Sequence, residues 1–109
     1  MPVNITGSNL VNSQIATIVD MATKAKVVTI THLDDLVAKG VLLGVCSNSY
    51  QNGRLVGEKA IRILKGAKPS SIPIESPKDH YVMINMETAM AGQFRIPEEF
   101  MEKIHRKVH

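Results

Sequence analysis

The sequence predicts an α/β fold, a Rossmann-like parallel sheet with flanking helices, and three observations support this class. Apolar, β-branched runs at residues 27–30, 41–45 and 81–84 have the character of buried strands. Segments with apolar residues at helical spacing lie before and between these runs. Because parallel strands are joined by crossovers that are usually helical, the alternation predicts β–α–β units.

Length and composition restrict the class of protein. A chain of 109 residues and 12.0 kDa is expected to form a single α/β domain over residues 1–109. A hydrophobic fraction of 44% argues against a disordered chain. The one cysteine, Cys46, rules out an internal disulfide framework and a multi-cysteine zinc site. No apolar run is long enough to span a membrane, and no signal-peptide pattern opens this chain.

The first half of the chain predicts helices and strands in alternation. A short apolar run at residues 3–6 precedes a helix over residues 10–25, which Ser8 or Asn9 could cap. The strand at residues 27–30 is followed by Thr31, a candidate cap for a short helix. That helix should end at Gly40, before the strand over residues 41–45.

The second half continues the pattern. A helix over residues 53–64 has one face of small and apolar residues, which predicts close packing against a sheet. After the strand at residues 81–84 we expect a helical turn at residues 87–90. Pro97 and the acidic residues behind it predict a last helix over residues 97–107.

The core must be built almost without aromatic side chains. The chain has no Trp, two Tyr and two Phe, so Val, Ile, Leu, Met and Ala supply most of the buried surface. We therefore expect the six methionines to fill the core rather than bind a metal or a soft ligand.

Charge and nucleophile patterns give little support to nucleic-acid binding or catalysis. The net charge is +3, and the basic clusters lack the interleaved aromatic residues that stack on bases, so we expect no nucleic-acid partner. The four histidines lack metal-ligand spacing, and Cys46 has no local histidine partner. We expect no metal, no cofactor and no enzymatic activity.

An ordered set of short motifs carries a family resemblance. Residues 53–66 read Gly-Arg-Leu-Val-Gly-Glu-Lys-Ala-Ile-Arg-Ile-Leu-Lys-Gly, followed by Pro69, Ile72-Pro73-Ile74, Ile84-Asn85, Thr88-Ala89 and Ile96-Pro97. This set resembles the C-terminal part of the ABC-transporter substrate-binding protein family, in its lipoprotein group related to tryptophan and tyrosine uptake proteins. The resemblance covers essentially the whole chain, but only part of a family member.

The resemblance implies a type I periplasmic-binding fold, in which two α/β lobes close on a solute held in the cleft between them. The chain would be the C-terminal portion of such a protein, with the helix at residues 53–64 belonging to the other lobe. The implied partners are a small-molecule solute and the membrane permease of an importer. The implied location of the full-length protein is periplasmic, or extracytoplasmic and membrane-anchored. A fragment lacking most of one lobe is expected to form a homo-oligomer, since a helix face is left without its sheet.

Solute-binding residues are expected where loops follow the strands, as in other open α/β sheets. The resemblance places Ser8, Asn9, His32, Asn48 and Tyr50 in these loops. Each also has a purely structural interpretation: helix capping for Ser8 and Asn9, turn formation for Asn48, packing for Tyr50 and a surface position for His32.

The ligand class stays open at this point. Many family members carry Asp where this chain has Ser8, and Asp is also common where it has Asn48. A carboxylate there would suit an amine-bearing ligand, so a neutral or anionic solute is as compatible with the sequence as an amino acid. A ligand-sensing regulatory domain of the same fold is the alternative function. A small flavodoxin-like enzyme ranks last, because no phosphate loop or nucleophile–base set is present.

Overall fold

The computed structural model describes residues 1–109, which divide into two compact units. The first unit combines Met1–Cys46 with Tyr81–His109, and the second is Ser47–His80. That residues 1–109 act as one domain stays a prediction. No helix is both long enough and apolar enough to cross a membrane.

A five-stranded sheet organises the chain, with its strands in the order β1-β2-β3-β4-β5. The strands are β1 (Val3–Ile5), β2 (Thr29–Thr31), β3 (Leu43–Ser47), β4 (His80–Asn85) and β5 (Arg106–Val108). The pairs β1–β2, β2–β3 and β4–β5 are parallel. Six helices accompany them: α1 (Asn9–Ser13), α2 (Ile15–Lys24), α3 (Asp34–Ala38), α4 (Ser49–Leu64), α5 (Met86–Ala91) and α6 (Glu98–Met101). The α/β class with flanking helices, predicted from the sequence, is confirmed.

The sheet is mixed rather than wholly parallel. The Asn85 backbone N–H, at the end of β4, donates to the Leu42 carbonyl, just before β3, at 2.9 Å. The carboxyl end of β4 therefore lies beside the amino end of β3, and the two strands run in opposite directions. The amino ends of β4 and β5 consequently share one edge of the sheet with the carboxyl ends of β1, β2 and β3, which is called the loop edge below.

The largest differences from the sequence prediction concern three elements. The helix predicted over residues 10–25 is two helices, separated at Gln14, whose N–H donates to both the Leu10 and Val11 carbonyls. The predicted strand at residues 27–30 is shifted to Thr29–Thr31, so Thr31 ends a strand and does not cap α3. Its hydroxyl instead donates to the Ile5 carbonyl at 2.8 Å and so ties β2 to β1.

The helix predicted over residues 97–107 ends at Met101. Beyond it the His105 N–H donates to the Val82 carbonyl at 2.9 Å, and Arg106–Val108 pair with residues 83–85 of β4. Pairing with a neighbouring strand overrides the local helical tendency here, because the sheet supplies hydrogen bonds that an exposed helical turn would obtain from water.

The core of the first unit consists of three apolar clusters. One contains Ile5, Ile15, Leu36 and Val41; a second contains Val37, Cys46 and Met83; the third contains Leu42, Ile84 and Ala89. Val37 and Leu36 are adjacent in α3 yet belong to different clusters, so this short helix joins two parts of the core. The helix ends at Ala38, two residues before the predicted stop at Gly40, which has a φ of +122° that glycine adopts readily.

Buried polar side chains connect the strands to the helix ends. The Asn85 side-chain amide donates to the Val37 carbonyl at 2.8 Å, and its oxygen accepts from the Thr88 N–H at 3.0 Å. The Thr88 hydroxyl donates to the Gly40 carbonyl at 2.7 Å. These bonds add to the hydrogen bonding of backbone groups in the buried part of the unit; the Val37 carbonyl also accepts from the Gly40 N–H at 3.1 Å.

The second unit is built on α4 and the chain segment that follows it. Lys59 holds that segment by donating to the Pro73 carbonyl at 2.6 Å and by pairing with Glu75 at 3.6 Å. On the opposite face of the helix, a side chain at Gly53 or Gly57 would meet no atom within 4 Å. Within this unit, therefore, the close packing predicted for the small-residue face is not formed.

Candidate functional site

Three of the predicted binding residues lie in the first unit, at the loop edge. Ser8 and Asn9 follow β1, and His32 directly follows β2. Ile5 and Thr31 are partners in the β1–β2 register, so the two loops begin side by side. All three predicted residues are exposed. The structure thus brings these three to one stretch of open surface.

Ser8 has a clear structural role as well. Its hydroxyl oxygen accepts from the Val11 N–H at 3.1 Å and caps α1, which begins at Asn9. The capping role predicted for Ser8 is confirmed. Whether Ser8 also contacts solute stays a prediction.

The other two predicted residues lie in the second unit. The Asn48 side-chain oxygen accepts from the Gln51 N–H at 3.2 Å and caps α4. Tyr50 occupies the first turn of that helix and is 71% exposed, so the packing interpretation of this residue is wrong. A cavity of about 200 Å³ in this unit lies between α4 and the segment before β4, but neither Asn48 nor Tyr50 lines it.

The structure assembles a second polar group at the loop edge that the sequence did not indicate. The Tyr81 hydroxyl donates to Asp34 Oδ2 at 3.0 Å, which joins the start of β4 to the start of α3. The Arg106 guanidinium, at the start of β5, lies 4.4 Å from the centre of the Tyr81 ring. Asp34, Tyr81 and Arg106 are called the Asp–Tyr–Arg cluster below.

Electrostatics keep the Tyr81 hydroxyl protonated. Burial, and then the hydrogen bond and negative charge of Asp34, raise the pKa of Tyr81 above its ordinary 10.0. The nearby thiol of Cys46 is 1% exposed, and burial followed by the charge of Asp34 raises its pKa above 9.0. The sequence prediction of a buried cysteine is confirmed, and its raised pKa opposes thiolate formation.

The cluster offers both signs of charge to a ligand. Within the first unit, no carboxylate pairs with Arg106, which is exposed and lies over an aromatic ring. A guanidinium in this state can bind a carboxylate through two parallel hydrogen bonds. Asp34 is half-buried, and each of its oxygens accepts one hydrogen bond, from Tyr81 and from the Asp35 N–H. Its carboxylate retains lone pairs for an amine.

Sequence reasoning missed this cluster because no local signal indicates it. The local pattern predicts a helix at Arg106 and a strand at Tyr81. Neither prediction indicates that the two residues lie close together. The three residues meet because β4 and β5 run opposite to β3, which places their amino ends at the loop edge. No group of three or more His, Cys, Asp or Glu side chains gathers as a metal site.

Comparisons with known proteins give a consistent result. The family described as ABC transporter substrate binding protein matches residues 2–108 of this chain. A search of curated protein sequences found no match.

Three solved structures share the fold. A conserved domain protein from Vibrio cholerae has 23% identity and a TM-score of 0.83, covering 95% of this chain and 35% of its own. The ligand-free, open form of CD0873, a substrate binding protein with adhesive properties from Clostridium difficile, has 27% identity and a TM-score of 0.73. The match covers 97% of this chain and 36% of CD0873. An ABC domain from Streptococcus pneumoniae in complex with L-Trp has 24% identity and a TM-score of 0.78. The match covers 93% of this chain and 35% of that domain. The chain therefore spans about a third of the length of these relatives.

Proposed function

Because the chain belongs to the ABC transporter substrate-binding protein family, we propose that it supplies one wall of a solute-binding site in an importer. The wall is the loop edge of the first unit, where Ser8, Asn9 and His32 lie beside the carboxyl ends of β1 and β2. The single observation that carries the proposal is the family match over residues 2–108. Solute binding at such a wall requires hydrogen bonds and charge complementarity, and no covalent step.

The proposed solute is an amino acid or a related small molecule. The protein from Streptococcus pneumoniae was solved with L-Trp, which supports this class. An amino acid carries a carboxylate and an ammonium group, and the Asp–Tyr–Arg cluster presents a free guanidinium near a carboxylate. Asp34 would supply the negative charge that the sequence lacks at Ser8 and Asn48.

The proposed mechanism is closure of two lobes around the solute. In the longer proteins that the chain resembles, a second wall completes the site, and hinge closure removes the solute from water. Solute contact by Asn48 and Tyr50 stays a prediction from the sequence. The partner of the full-length protein would be a membrane permease, and its location would be extracytoplasmic, with a lipid anchor.

The isolated chain is proposed to bind solute weakly and to self-associate. Weak binding follows because one wall buries less solute surface than two. Self-association follows because α4 carries exposed apolar side chains, among them Val56 and Leu64 at 66% and 86% exposure.

The test is NMR chemical-shift mapping of the 109-residue chain with L-Trp and other amino acids at millimolar concentration. We expect shifts of the backbone amides at residues 7–9, 31–34 and 81, together with the side-chain Nε–H of Arg106. Loss of the guanidinium in Arg106→Met should weaken binding by about 10- to 100-fold, since a charged hydrogen bond contributes about 1.5–3 kcal/mol.

The matched control is Lys107→Met, which removes a positive charge from the next residue of β5, on the other side of the strand. It should leave binding nearly unchanged. Shifts confined to other surfaces, or equal effects of the two variants, would contradict the proposed wall. Arg106→Lys keeps the charge but not the planar guanidinium, so it separates simple charge attraction from bidentate binding.

A further inference from the structure

Three methionines line one apolar cavity in the first unit, away from the loop edge. Met86 and Met90 lie one helical turn apart on α5, and Met101 reaches the same cavity from α6. The cavity has a volume of about 400 Å³. Residues four apart on a helix project from the same face, so the thioethers of Met86 and Met90 can approach a common point.

Core filling accounts for these methionines only in part. Met86 and Met101 are half-buried and pack against the cluster around Leu42 and Ile84. Met90 is 76% exposed, although it lines the same cavity. The expectation that the six methionines fill the core is therefore wrong for Met1, Met21 and Met90, and of these three only Met90 lines the cavity.

The wall opposite α5 is held in a fixed conformation. The Phe94 N–H donates to the Ala89 carbonyl at 2.9 Å, and Gln93 adopts a φ of +53°. A side chain at Gly92 would collide with the Phe94 ring, so glycine is required for the ring to lie there. The cavity is thus a built feature of the α5–α6 connection.

The ligand atoms available in this cavity are soft. Its lining contains three thioether sulfurs, and it contains no carboxylate, imidazole or thiol group. Thioethers favour soft metal ions such as Cu(I), whereas Mg²⁺, Ca²⁺ and Mn²⁺ prefer oxygen ligands and Zn²⁺ prefers thiolate or imidazole.

We propose that Met86, Met90 and Met101 form a binding site for a soft monovalent metal ion of the Cu(I) class. Three thioethers around one ion leave it in a largely apolar pocket, with the Phe94 ring as part of the wall. The site is independent of the proposed solute-binding edge, and neither proposal depends on the other.

The test uses Ag(I), a redox-inert probe with the same ligand preference, added as silver nitrate in chloride-free buffer to protein carrying ¹³C-methyl methionine. The chain should give six methyl signals, one from each methionine. We expect the signals of Met86, Met90 and Met101 to move and to stop moving at one equivalent. Zn²⁺ should not move them. Absence of movement, or equal movement of Met1 and Met21, would overturn the proposal.

A pair of variants gives an independent measurement by calorimetry. Met90→Leu removes one thioether while keeping the apolar volume, and it should weaken Ag(I) binding by about tenfold or more. Met21→Leu removes an exposed methionine of α2 outside the cavity and should have no effect. Cys46 and the four histidines are present in both variants, so their contributions cancel. Equal affinities in the two variants would overturn the proposal, because an apolar pocket without metal affinity is indifferent to Met90→Leu.

Discussion

The Asn85 side chain links three elements of the first unit through two hydrogen bonds. It is 4% exposed and joins the end of β4 to two other elements. Its amide donates to the Val37 carbonyl in α3, and its oxygen caps α5 by accepting from the Thr88 N–H. Asn85→Ala would leave the Thr88 N–H without its capping partner and would remove one of two hydrogen bonds from the Val37 carbonyl, which also accepts from the Gly40 N–H at 3.1 Å.

The cost can be worked from these two bonds. Loss of a side-chain N-cap costs about 1 kcal/mol, and loss of one of the two hydrogen bonds to the Val37 carbonyl costs about 0.5–1.5 kcal/mol. We therefore expect Asn85→Ala to lower the free energy of unfolding by about 1.5–2.5 kcal/mol. Asn85→Ser keeps a capping oxygen but cannot reach Val37, so it should recover about 1 kcal/mol of that loss.

Urea unfolding followed by circular dichroism measures the difference, with Asn9→Ala as the control. Asn9 is exposed and makes no side-chain hydrogen bond within the first unit, so its substitution should change the unfolding midpoint little. A loss below about 1 kcal/mol for Asn85→Ala would refute the reasoning, because the two bonds would then be replaced by water. Equal losses for Asn85→Ala and Asn85→Ser would refute the capping contribution.

Two further predictions concern the backbone at Gly40 and the ionisation of Tyr81. Gly40→Ala should lower the melting temperature, since Gly40 has a φ of +122° and a Cβ there would lie 2.9 Å from a Val19 methyl group. We expect the free energy of unfolding to fall by about 1–3 kcal/mol, and an unchanged melting temperature would contradict this. The raised pKa of Tyr81 means that the unfolded chain releases its phenol proton first, so stability is unaffected at neutral pH and falls as pH rises above 10.0. Tyr81→Phe should make this alkaline decrease shallower in a pH series of urea midpoints, and an identical pH profile would contradict the assignment.

Local signals were sufficient for several elements of the fold. The apolar runs of β3 and β4 were found because buried strands need β-branched residues on both faces. The end of α3 shortly before Gly40 is predictable because the chain adopts a positive φ there, which favours glycine. Capping by Ser8 is likewise predictable, because a short polar side chain precedes a run of apolar residues at helical spacing.

Pairing between strands that are distant in the sequence produces the features that local sequence patterns do not predict. β5 has three residues, and nothing in its charged sequence indicates a strand until β4 is present to pair with it. The direction of β4 is equally hidden, since it depends on where the chain re-enters the sheet after Ser47–His80. The Asp–Tyr–Arg cluster depends on both features and so lay beyond local pattern reasoning.

The mixed direction of the sheet has a consequence for the proposed site. In a wholly parallel sheet the loop edge would receive only the residues that follow strands, which in the first unit include Ser8, Asn9, His32 and Asp34 and supply no guanidinium. Because β4 and β5 begin at this edge, Tyr81 and Arg106 join it from the opposite chain direction. Tyr81 then orients Asp34 through a hydrogen bond while its ring supports the guanidinium, so one side chain positions both charges. On the proposed function, Asp34 and Arg106 would therefore contact the ammonium and carboxylate groups of a zwitterion.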